Sequence, residues 1–286
     1  MSMNFTAQAQ LSSSSQPGSQ RGQVDVWYPE DPEFWASTGE RIARRNLIFS
    51  IFAEFLAFSV WQLWSILVVK LPALGFDFSV NQLFWLAAVP GLTGATLRIP
   101  YALMVSYIGG RNWTLISTAL LMLPAAGIGY FIQYPDTPYP IFLVLALLCG
   151  FGGGNFASSM ANINHFFPKH LKGVALGLNA AGGNIGVSIV QGLAPMVITM
   201  PLLGALGGPP QVMGSGPSSQ TLWLQNIAWM WLPLIGLALL TTWFFMDNLK
   251  VAQARFKDQW PLFKQKHSWI LSWLYMGTFG AFIGYA

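Results

Sequence analysis

Seven long apolar segments follow one another along this 286-residue chain. Each is a continuous run rather than an alternation of apolar and polar residues, which excludes the strands of a membrane barrel and indicates helices. Because a helix rises about 1.5 Å per residue, about 20 residues cross the roughly 30 Å hydrocarbon core of a bilayer. The predicted spans are residues 46–69, 82–105, 113–133, 140–166, 172–200, 222–246 and 268–286.

The composition predicts an integral membrane protein. Hydrophobic residues make up 53% of the chain and charged residues only 8%, against about 25% charged residues in soluble domains. The net charge of +4 does not indicate nucleic-acid binding, because the basic residues stand in short loops beside apolar spans. The single cysteine, Cys149, lies inside a span, so it cannot form an internal disulfide.

The distribution of basic residues predicts the orientation of the spans. Twelve of the 14 basic residues fall on the side of the membrane that holds the N-terminus, whereas Lys70 alone lies on the other side and Arg98 lies within a span. Positive residues concentrate in cytoplasmic loops, so the N-terminus is expected in the cytoplasm. The twelve are Arg21, Arg41, Arg44, Arg45, Arg111, Lys169, Lys172, Lys250, Arg255, Lys257, Lys264 and Lys266.

The chain is predicted to be an all-α membrane protein with five consecutive units. The first is a disordered, Ser- and Gln-rich tail over residues 1–26, followed by a cytoplasmic segment, 27–45, that starts a short helix on the membrane surface. A bundle of six transmembrane helices follows over 46–246, and then a cytoplasmic linker over 247–267. Residues 268–286 form a truncated seventh transmembrane helix. No cleavable signal peptide is predicted.

Arg98 is the most informative single residue. It stands within the apolar run LFWLAAVPGLTGATLRIPYALMV, residues 83–105, as the only charged side chain. Placing a guanidinium in a bilayer costs about 3 kcal/mol on insertion scales, so such a residue usually faces a polar cavity or an anion. Its planar fork of donors suits a small planar oxyanion. The residue therefore predicts a membrane protein that handles anions.

Glycines cluster in the fourth and fifth spans at helical spacing. A pair of small residues four positions apart lets two helices approach closely, which would suit helices that slide or rock, although simple tight packing explains the same pattern. A phosphate-binding loop is not indicated, since the glycines lie inside apolar spans without a Walker lysine. The candidate packing glycines are Gly150, Gly154, Gly173, Gly177, Gly182, Gly183 and Gly186.

Two polar residues inside the spans have two interpretations each. Asn184 is one of five asparagines in spans four and five, and it would either contact a substrate or bridge helices. Glu54 lies in the first span, where an apolar setting disfavours the ionised carboxyl group, so it is a candidate proton-coupling residue. Alternatively, Glu54 partners a nearby polar group or lies at headgroup level, about two turns from Asn46.

Other side chains predict neither catalysis nor metal binding. The three histidines stand at span ends or in loops without metal-ligand spacing, and no nucleophile–histidine arrangement is visible. No enzymatic activity, cofactor or metal is therefore expected. Phe156, Tyr275 and Phe279 would either pack or wall a flat ligand with their rings.

Four stretches carry a resemblance to a known family. They read ATLRIPYALMV around Arg98, GGRNWT after the second span, CGFGGGNFASSMANINHFFPKHLKGVALGLNAAGGNIGVS across spans four and five, and WLYMGTFGAFIGYA in the seventh. Together they resemble the NarK-type nitrate/nitrite porter family of the major facilitator superfamily over about residues 40–286. The resemblance implies the N-terminal six-helix bundle of such a transporter and the opening of its seventh helix.

The resemblance also implies roles for five residues. Arg98 matches the arginine that clamps the nitrate or nitrite oxyanion, and Phe156 matches an aromatic wall of that site. Asn184 matches a polar ligand, while Tyr275 and Phe279 match a pair that caps the substrate. A second arginine of the family comes from an eighth helix, which lies beyond the printed sequence.

The expected function is secondary transport of nitrate and/or nitrite across a bacterial inner membrane, by proton symport or by nitrate/nitrite exchange. Nitrate, nitrite, protons and the lipid bilayer are the expected partners, with a separately encoded C-terminal half as another. The alternative is a non-transporting membrane fragment or assembly subunit that needs a complementary second half. One position departs from the family pattern: Ala180 replaces a glycine, and its larger side chain would slightly reduce how far the helices can slide past each other.

Overall fold

Helices dominate the computed structural model, which describes residues 22–213, 219–253 and 264–285. One helix occupies each of the seven predicted spans, which confirms the all-α class. These helices are α1 (Pro32–Leu67), α2 (Val80–Ile108), α3 (Gly110–Phe131), α4 (Tyr139–Phe166), α5 (Lys169–Val197), α6 (Asn226–Phe245) and α7 (Lys266–Tyr285).

Three of these helices contain local irregularities. Helix α1 starts with Pro32–Phe34 and a π-helical turn, Trp35–Gly39, before its regular part, Glu40–Trp61, and a last segment, Leu63–Leu67. Helices α3 and α6 each divide into two segments. The segments of α3 are Gly110–Leu120 and Met122–Phe131, and those of α6 are Asn226–Trp229 and Trp231–Phe245.

Short elements connect the helices. Within the described residues, 3-10 turns lie at Pro72–Leu74, Gly204–Gly207 and Lys250–Ala252. The described part of the chain also contains very short strands in two pairs, which the continuous apolar runs do not predict. The strands are β1 (Gln23–Val24), β2 (Gln211–Met213), β3 (Gln220–Leu222) and β4 (Asn248–Leu249); β1 pairs in parallel with β4, and β2 pairs antiparallel to β3.

Five of the seven helices, α1, α3, α4, α5 and α6, are long and apolar enough to cross a membrane by themselves, judged over the described residues. Helix α2 is long enough, but Arg98 and two internal prolines, Pro90 and Pro100, make it less apolar. The chain is therefore a multi-pass membrane protein.

Helix α1 begins well before the boundary predicted at residue 46. Asp31 accepts a hydrogen bond from the Glu33 backbone N–H at 3.0 Å, and Pro32 stands in the first helical turn, where its missing N–H costs nothing. Trp27, just upstream, is buried and donates its indole N–H to the His165 carbonyl at 3.0 Å. The predicted 27–45 segment is thus largely the first part of α1, joined to the end of α4.

Glycines of α4 permit close contact with α1 and α2. Gly153 packs closely against Gly94 of α2. A Cβ on Gly153 would come within 2.9 Å of the Gly94 Cα. A Cβ on Gly154 would come within 2.9 Å of Leu97, and Gly150 is pressed against Thr93. Helix α4 therefore lies directly on the face of α2 that carries Arg98.

Glycines of α5 divide into two groups. Gly182, Gly183 and Gly186 face α1, where a Cβ would collide with neighbouring atoms. Gly173 and Gly177 are exposed, and a Cβ on either would meet no described atom within 4 Å. The first group lies in a helix–helix contact, and the second faces open space in the described part of the chain.

A set of five residues joins the end of α6 to α1 and to the α2–α3 turn; we call it the linker clamp (Arg45, Asn46, Arg111, Asp247 and Asn248). The Asp247 carboxylate accepts hydrogen bonds from Arg45 at 2.6 Å and Asn46 at 2.9 Å. The Asn248 side-chain oxygen accepts the Arg111 backbone N–H at 2.9 Å. The start of the predicted 247–267 linker is therefore fixed to the bundle; residues 254–263 lie outside the described residues.

Candidate functional site

Arg98 extends from α2 into the interior of the helix assembly. Its side chain is half-buried, and its Nε donates to the Gly153 carbonyl of α4 at 3.4 Å. Its Nη1 lies 3.4 Å from the Tyr275 hydroxyl of α7. Both contacts are long for hydrogen bonds, whose usual N–O distance is about 2.9 Å. Through these contacts the guanidinium reaches two other helices, α4 and α7.

Two aromatic rings flank this guanidinium. Its carbon lies 5.2 Å from the centre of the Phe156 ring and 5.7 Å from that of Tyr275, both within cation–π range. The two rings are nearly parallel, with an interplanar angle of 16° and centres 6.4 Å apart. Phe58, fully buried in α1, stacks on Phe156 at 5.9 Å. Two of the predicted site residues, Phe156 and Tyr275, therefore lie beside a third, the Arg98 cation.

Glu54 lies in α1, is fully buried, and neighbours this group. Ser159 and Arg98 interact with its carboxyl group. However, among the described residues no donor makes a hydrogen bond of ordinary geometry to either carboxyl oxygen. Gly183 of α5 packs against it, because a Cβ there would come within 2.8 Å of Glu54 Cγ.

Two polar residues that the sequence analysis did not assign to the site complete this neighbourhood. Ser159 donates to the Phe156 carbonyl at 3.2 Å and accepts the Asn179 amide at 2.8 Å. Ser159 follows Phe156 by one helical turn, so the spacing of three placed it on the same face of α4. This spacing is the sequence signal that could have pointed to Ser159. Its proximity to Glu54 has no such signal, because it depends on the packing of α1 against α4.

The other two predicted ligands are not joined to this group by described contacts. Asn184 is half-buried on α5 and donates its amide to the Ala180 carbonyl at 3.0 Å. Its side-chain oxygen is buried and accepts no hydrogen bond within the described part of the chain. Phe279 belongs to α7, but its side chain lies outside what the structure describes.

The chemistry of this arrangement favours binding of a small anion. Arg98 supplies a permanent cation with several N–H donors, while Phe156 and Tyr275 supply flat apolar faces. Among the residues that the structure covers, no group of three or more His, Cys, Asp or Glu side chains could hold a metal ion.

Comparison with known proteins gives the family. The family model described as Major Facilitator Superfamily matches residues 47–286. The chain belongs to this superfamily. The match begins in α1 and includes α7, so Arg98, Phe156 and Tyr275 all lie within it.

Several curated relatives are nitrate/nitrite transporters by name, which confirms the predicted resemblance to the NarK-type porters. The chain is 48% identical to "Nitrate/nitrite transporter NarU" of Salmonella typhimurium strain LT2 over 91% of its own length and 56% of the relative's. It is also 48% identical to NarU of Escherichia coli K12, over 91% of this chain and 56% of the relative. "Probable nitrate/nitrite antiporter NarK2" of Thermus thermophilus is 43% identical over 92% of this chain and 59% of the relative. The chain thus spans somewhat more than half the length of these superfamily members.

Proposed function

We propose that this superfamily member carries the primary anion site of a nitrate and nitrite transporter. The observation that carries the proposal is the Arg98 guanidinium, 5.2 Å and 5.7 Å from the nearly parallel rings of Phe156 and Tyr275. Its Nε lies 3.4 Å from the Gly153 carbonyl and its Nη1 lies 3.4 Å from the Tyr275 hydroxyl, distances on which a ligand with better geometry would improve.

The chemistry of nitrate and nitrite suits these groups. Both anions are planar and singly charged, so their oxygens match the donors of a guanidinium in its own plane. Aromatic faces exclude water above and below such a plane, which strengthens the electrostatic attraction inside. A spherical anion such as chloride would use only the charge of Arg98 and gain nothing from the fork. The site therefore predicts preference for planar oxyanions.

The remaining predicted ligands belong to the same proposal. The unsatisfied, buried oxygen of Asn184 fits a residue whose amide reorients when substrate enters, and Phe279 would add a second cap on α7. We further propose that the N-terminus faces the cytoplasm of a bacterium, because the basic residues concentrate on that side of the membrane. The glycines that pack α4 and α5 would let these helices shift during transport.

Counterflow of labelled nitrate in proteoliposomes tests the function. Because the chain spans 56% of NarU, it is joined to the remaining part of NarU for this assay. We expect the joined protein that keeps Arg98 to exchange nitrate for nitrite. Arg98→Lys keeps the charge but removes the planar fork, and we expect it to lower the apparent anion affinity about 10- to 100-fold, the loss of one or two charge-assisted hydrogen bonds.

Arg44→Lys is the matched control. Arg44 is also in a helix of the bundle, but its side chain is 71% exposed and pairs with Glu40 one turn earlier. This exchange should leave counterflow within about twofold of the unaltered protein, since exposed pairs contribute little. Equal loss in both variants, or full activity of Arg98→Lys, would contradict the assignment of Arg98 as the anion clamp.

A further inference from the structure

Helix α4 makes two contacts with Arg98, so its position matters to the anion site. The Gly153 carbonyl lies 3.4 Å from Arg98 Nε, and the centre of the Phe156 ring lies 5.2 Å from the guanidinium carbon. Residues 152–154, just before this ring, are three glycines. Glycine allows close approach to α1 and α2 but brings no polar side chain that could join α4 to a neighbouring helix.

Polar bridges on two sides of α4 follow these glycines. Towards α3, the Asn155 side-chain oxygen accepts the Ser117 hydroxyl at 2.6 Å. Towards α5, Asn179 is 0% exposed and donates its amide to the Ser159 hydroxyl at 2.8 Å. Ser159 is itself buried and donates to the Phe156 carbonyl at 3.2 Å. The bridge to α5 thus ends on the backbone of the residue that forms the aromatic wall.

We propose that Asn179 and Ser159 are positioning residues of the anion site. They act through Phe156, because their bridge holds its turn of α4 at the distance from Arg98 at which the ring covers one face of a planar anion. The inference rests on the proposed function, since it needs an anion at Arg98.

The buried amide of Asn179 supports this role. Its side-chain oxygen is buried and accepts no hydrogen bond from any described residue. An unsatisfied polar atom in an apolar interior is unfavourable, and a leucine of similar size would avoid it. General stability therefore does not explain an amide at this position, whereas a directional hydrogen bond to Ser159 fixes how α4 lies against α5.

The choice of anion distinguishes positioning from general damage to the fold. Nitrate uses the planar fork of Arg98 and the flat faces of the rings, whereas chloride uses only the charge. A displaced Phe156 should therefore weaken nitrate binding and leave chloride binding unchanged. Partial unfolding would weaken the binding of both anions alike.

Nitrate and chloride binding to the same variants test the proposal. The purified 286-residue chain in lipid nanodiscs is titrated with nitrate by calorimetry, and chloride affinity is obtained by competition against nitrate. We expect Asn179→Leu and Ser159→Ala each to weaken nitrate binding about five- to tenfold, the loss expected for one hydrogen bond, without a change in chloride affinity.

Two further variants use the shared bridge. Because either single change removes the same hydrogen bond, the double variant should bind nitrate no more weakly than the weaker single variant. Ser159→Thr keeps the hydroxyl and should restore most of the nitrate affinity that Ser159→Ala loses.

Asn226→Leu is the matched control. Asn226 is also 0% exposed, and its amide donates to the Val197 and Met200 carbonyls at 2.9 Å and 2.8 Å. Val197 ends α5, about 27 Å along the helix axis from Asn179. Asn226→Leu should lower the unfolding temperature, because two carbonyls lose their donor, and leave nitrate affinity unchanged.

Each result bears on either the bridge or the site itself. Unchanged nitrate affinity in Asn179→Leu and Ser159→Ala overturns the positioning role and leaves the anion site standing. Equal losses for nitrate and chloride, or a nitrate loss in Asn226→Leu as large as in Asn179→Leu, overturn it as well. If the unaltered chain binds no nitrate, the proposed function fails first. A selective loss of nitrate affinity, non-additive in the double variant, supports the inference.

Discussion

Arg98 and Arg111 are both enclosed by helices, yet their surroundings differ. Arg111, in the linker clamp, donates to the Trp243 carbonyl at 2.7 Å and lies 4.7 Å over that indole ring. Its backbone N–H donates a hydrogen bond to the Asn248 side-chain oxygen at 2.9 Å. The Nε of Arg98 lies 3.4 Å from the Gly153 carbonyl, and its Nη1 lies 3.4 Å from the Tyr275 hydroxyl.

The difference fits the proposed division between an arginine that supports the fold and an arginine that binds the anion. Short contacts within one protein chain hold a side chain in a single position, and a ligand could replace them only at a cost. Long contacts hold it weakly, so a ligand can improve on them. The linker clamp accordingly fastens α6 to the α2–α3 turn, while Arg98 lies beside the rings of Phe156 and Tyr275, where the proposed anion site is.

Asp247→Ala should produce the largest loss of stability. It removes the acceptor of Arg45 and Asn46, at 2.6 Å and 2.9 Å, in a side chain that is only 11% exposed. We expect the free energy of unfolding to fall by about 2–3 kcal/mol, since hydrogen bonds to charged groups contribute about 1.5–3 kcal/mol each and Arg45 is partly screened by solvent. Thermal unfolding of both proteins in nanodiscs measures this loss of stability.

The control is Asp25→Ala, which removes an exposed ion pair with Lys250 at 3.7 Å. It should change stability by less than about 0.5 kcal/mol. If Asp247→Ala instead weakened nitrate binding without lowering the unfolding temperature, the division between a clamp and a binding region would be wrong.

Gly153→Ala should have the next largest effect. The new Cβ would come within 2.7 Å of the Trp61 ring and 2.9 Å of the Gly94 backbone, so α2 and α4 must move apart. Overpacking of this kind costs about 1–2 kcal/mol. Because Gly153 also accepts from Arg98, nitrate affinity measured by calorimetry should fall along with the unfolding temperature.

Gly177→Ala gives the matched comparison, because a Cβ there meets no described atom within 4 Å. It should leave stability unchanged or raise it slightly, since alanine favours helix over glycine. Equal destabilisation by the two alanines would show that close helix contact at Gly153 is not what limits substitution.

Tyr275→Phe should have the smallest effect. It removes the hydroxyl 3.4 Å from Arg98 Nη1 and keeps the ring that faces Phe156. We expect nitrate affinity to fall about two- to fivefold, equivalent to about 0.5–1 kcal/mol, with the unfolding temperature unchanged. Tyr107→Phe, at an exposed position on α2, is the control. A loss of about tenfold or more would mean that the Tyr275 hydroxyl contacts the anion itself.

The helices and the central cation were predictable from the sequence because they depend on local patterns. Continuous apolar runs indicated the position of each helix to within a few residues, apart from the start of α1. That start also had a local signal, Asp31 followed by Pro32 and Glu33, which the apolar pattern obscured. The lone charge in an apolar run was enough to single out Arg98.

Contacts between distant residues could not be predicted in the same way. Asn248 reaches the backbone of Arg111, 137 positions earlier, and no periodicity links the two. Glu54 meets Ser159 only because α1 and α4 pack together. Conversely, glycine spacing alone grouped Gly173 and Gly177 with Gly182 and Gly186, although in the described structure only the latter pair touches a neighbouring helix.

The parallel pairing of β1 with β4 has a practical consequence for labelling. The Asn248 N–H donates to the Gly22 carbonyl at 2.8 Å, and Gln23 lies in register with Asn248. A fluorophore attached at Gln23 will therefore move with the polypeptide that leaves α6. Because Asn248 belongs to the linker clamp, the signal of the fluorophore will report movement of the clamp together with α1 and the α2–α3 turn that the clamp joins.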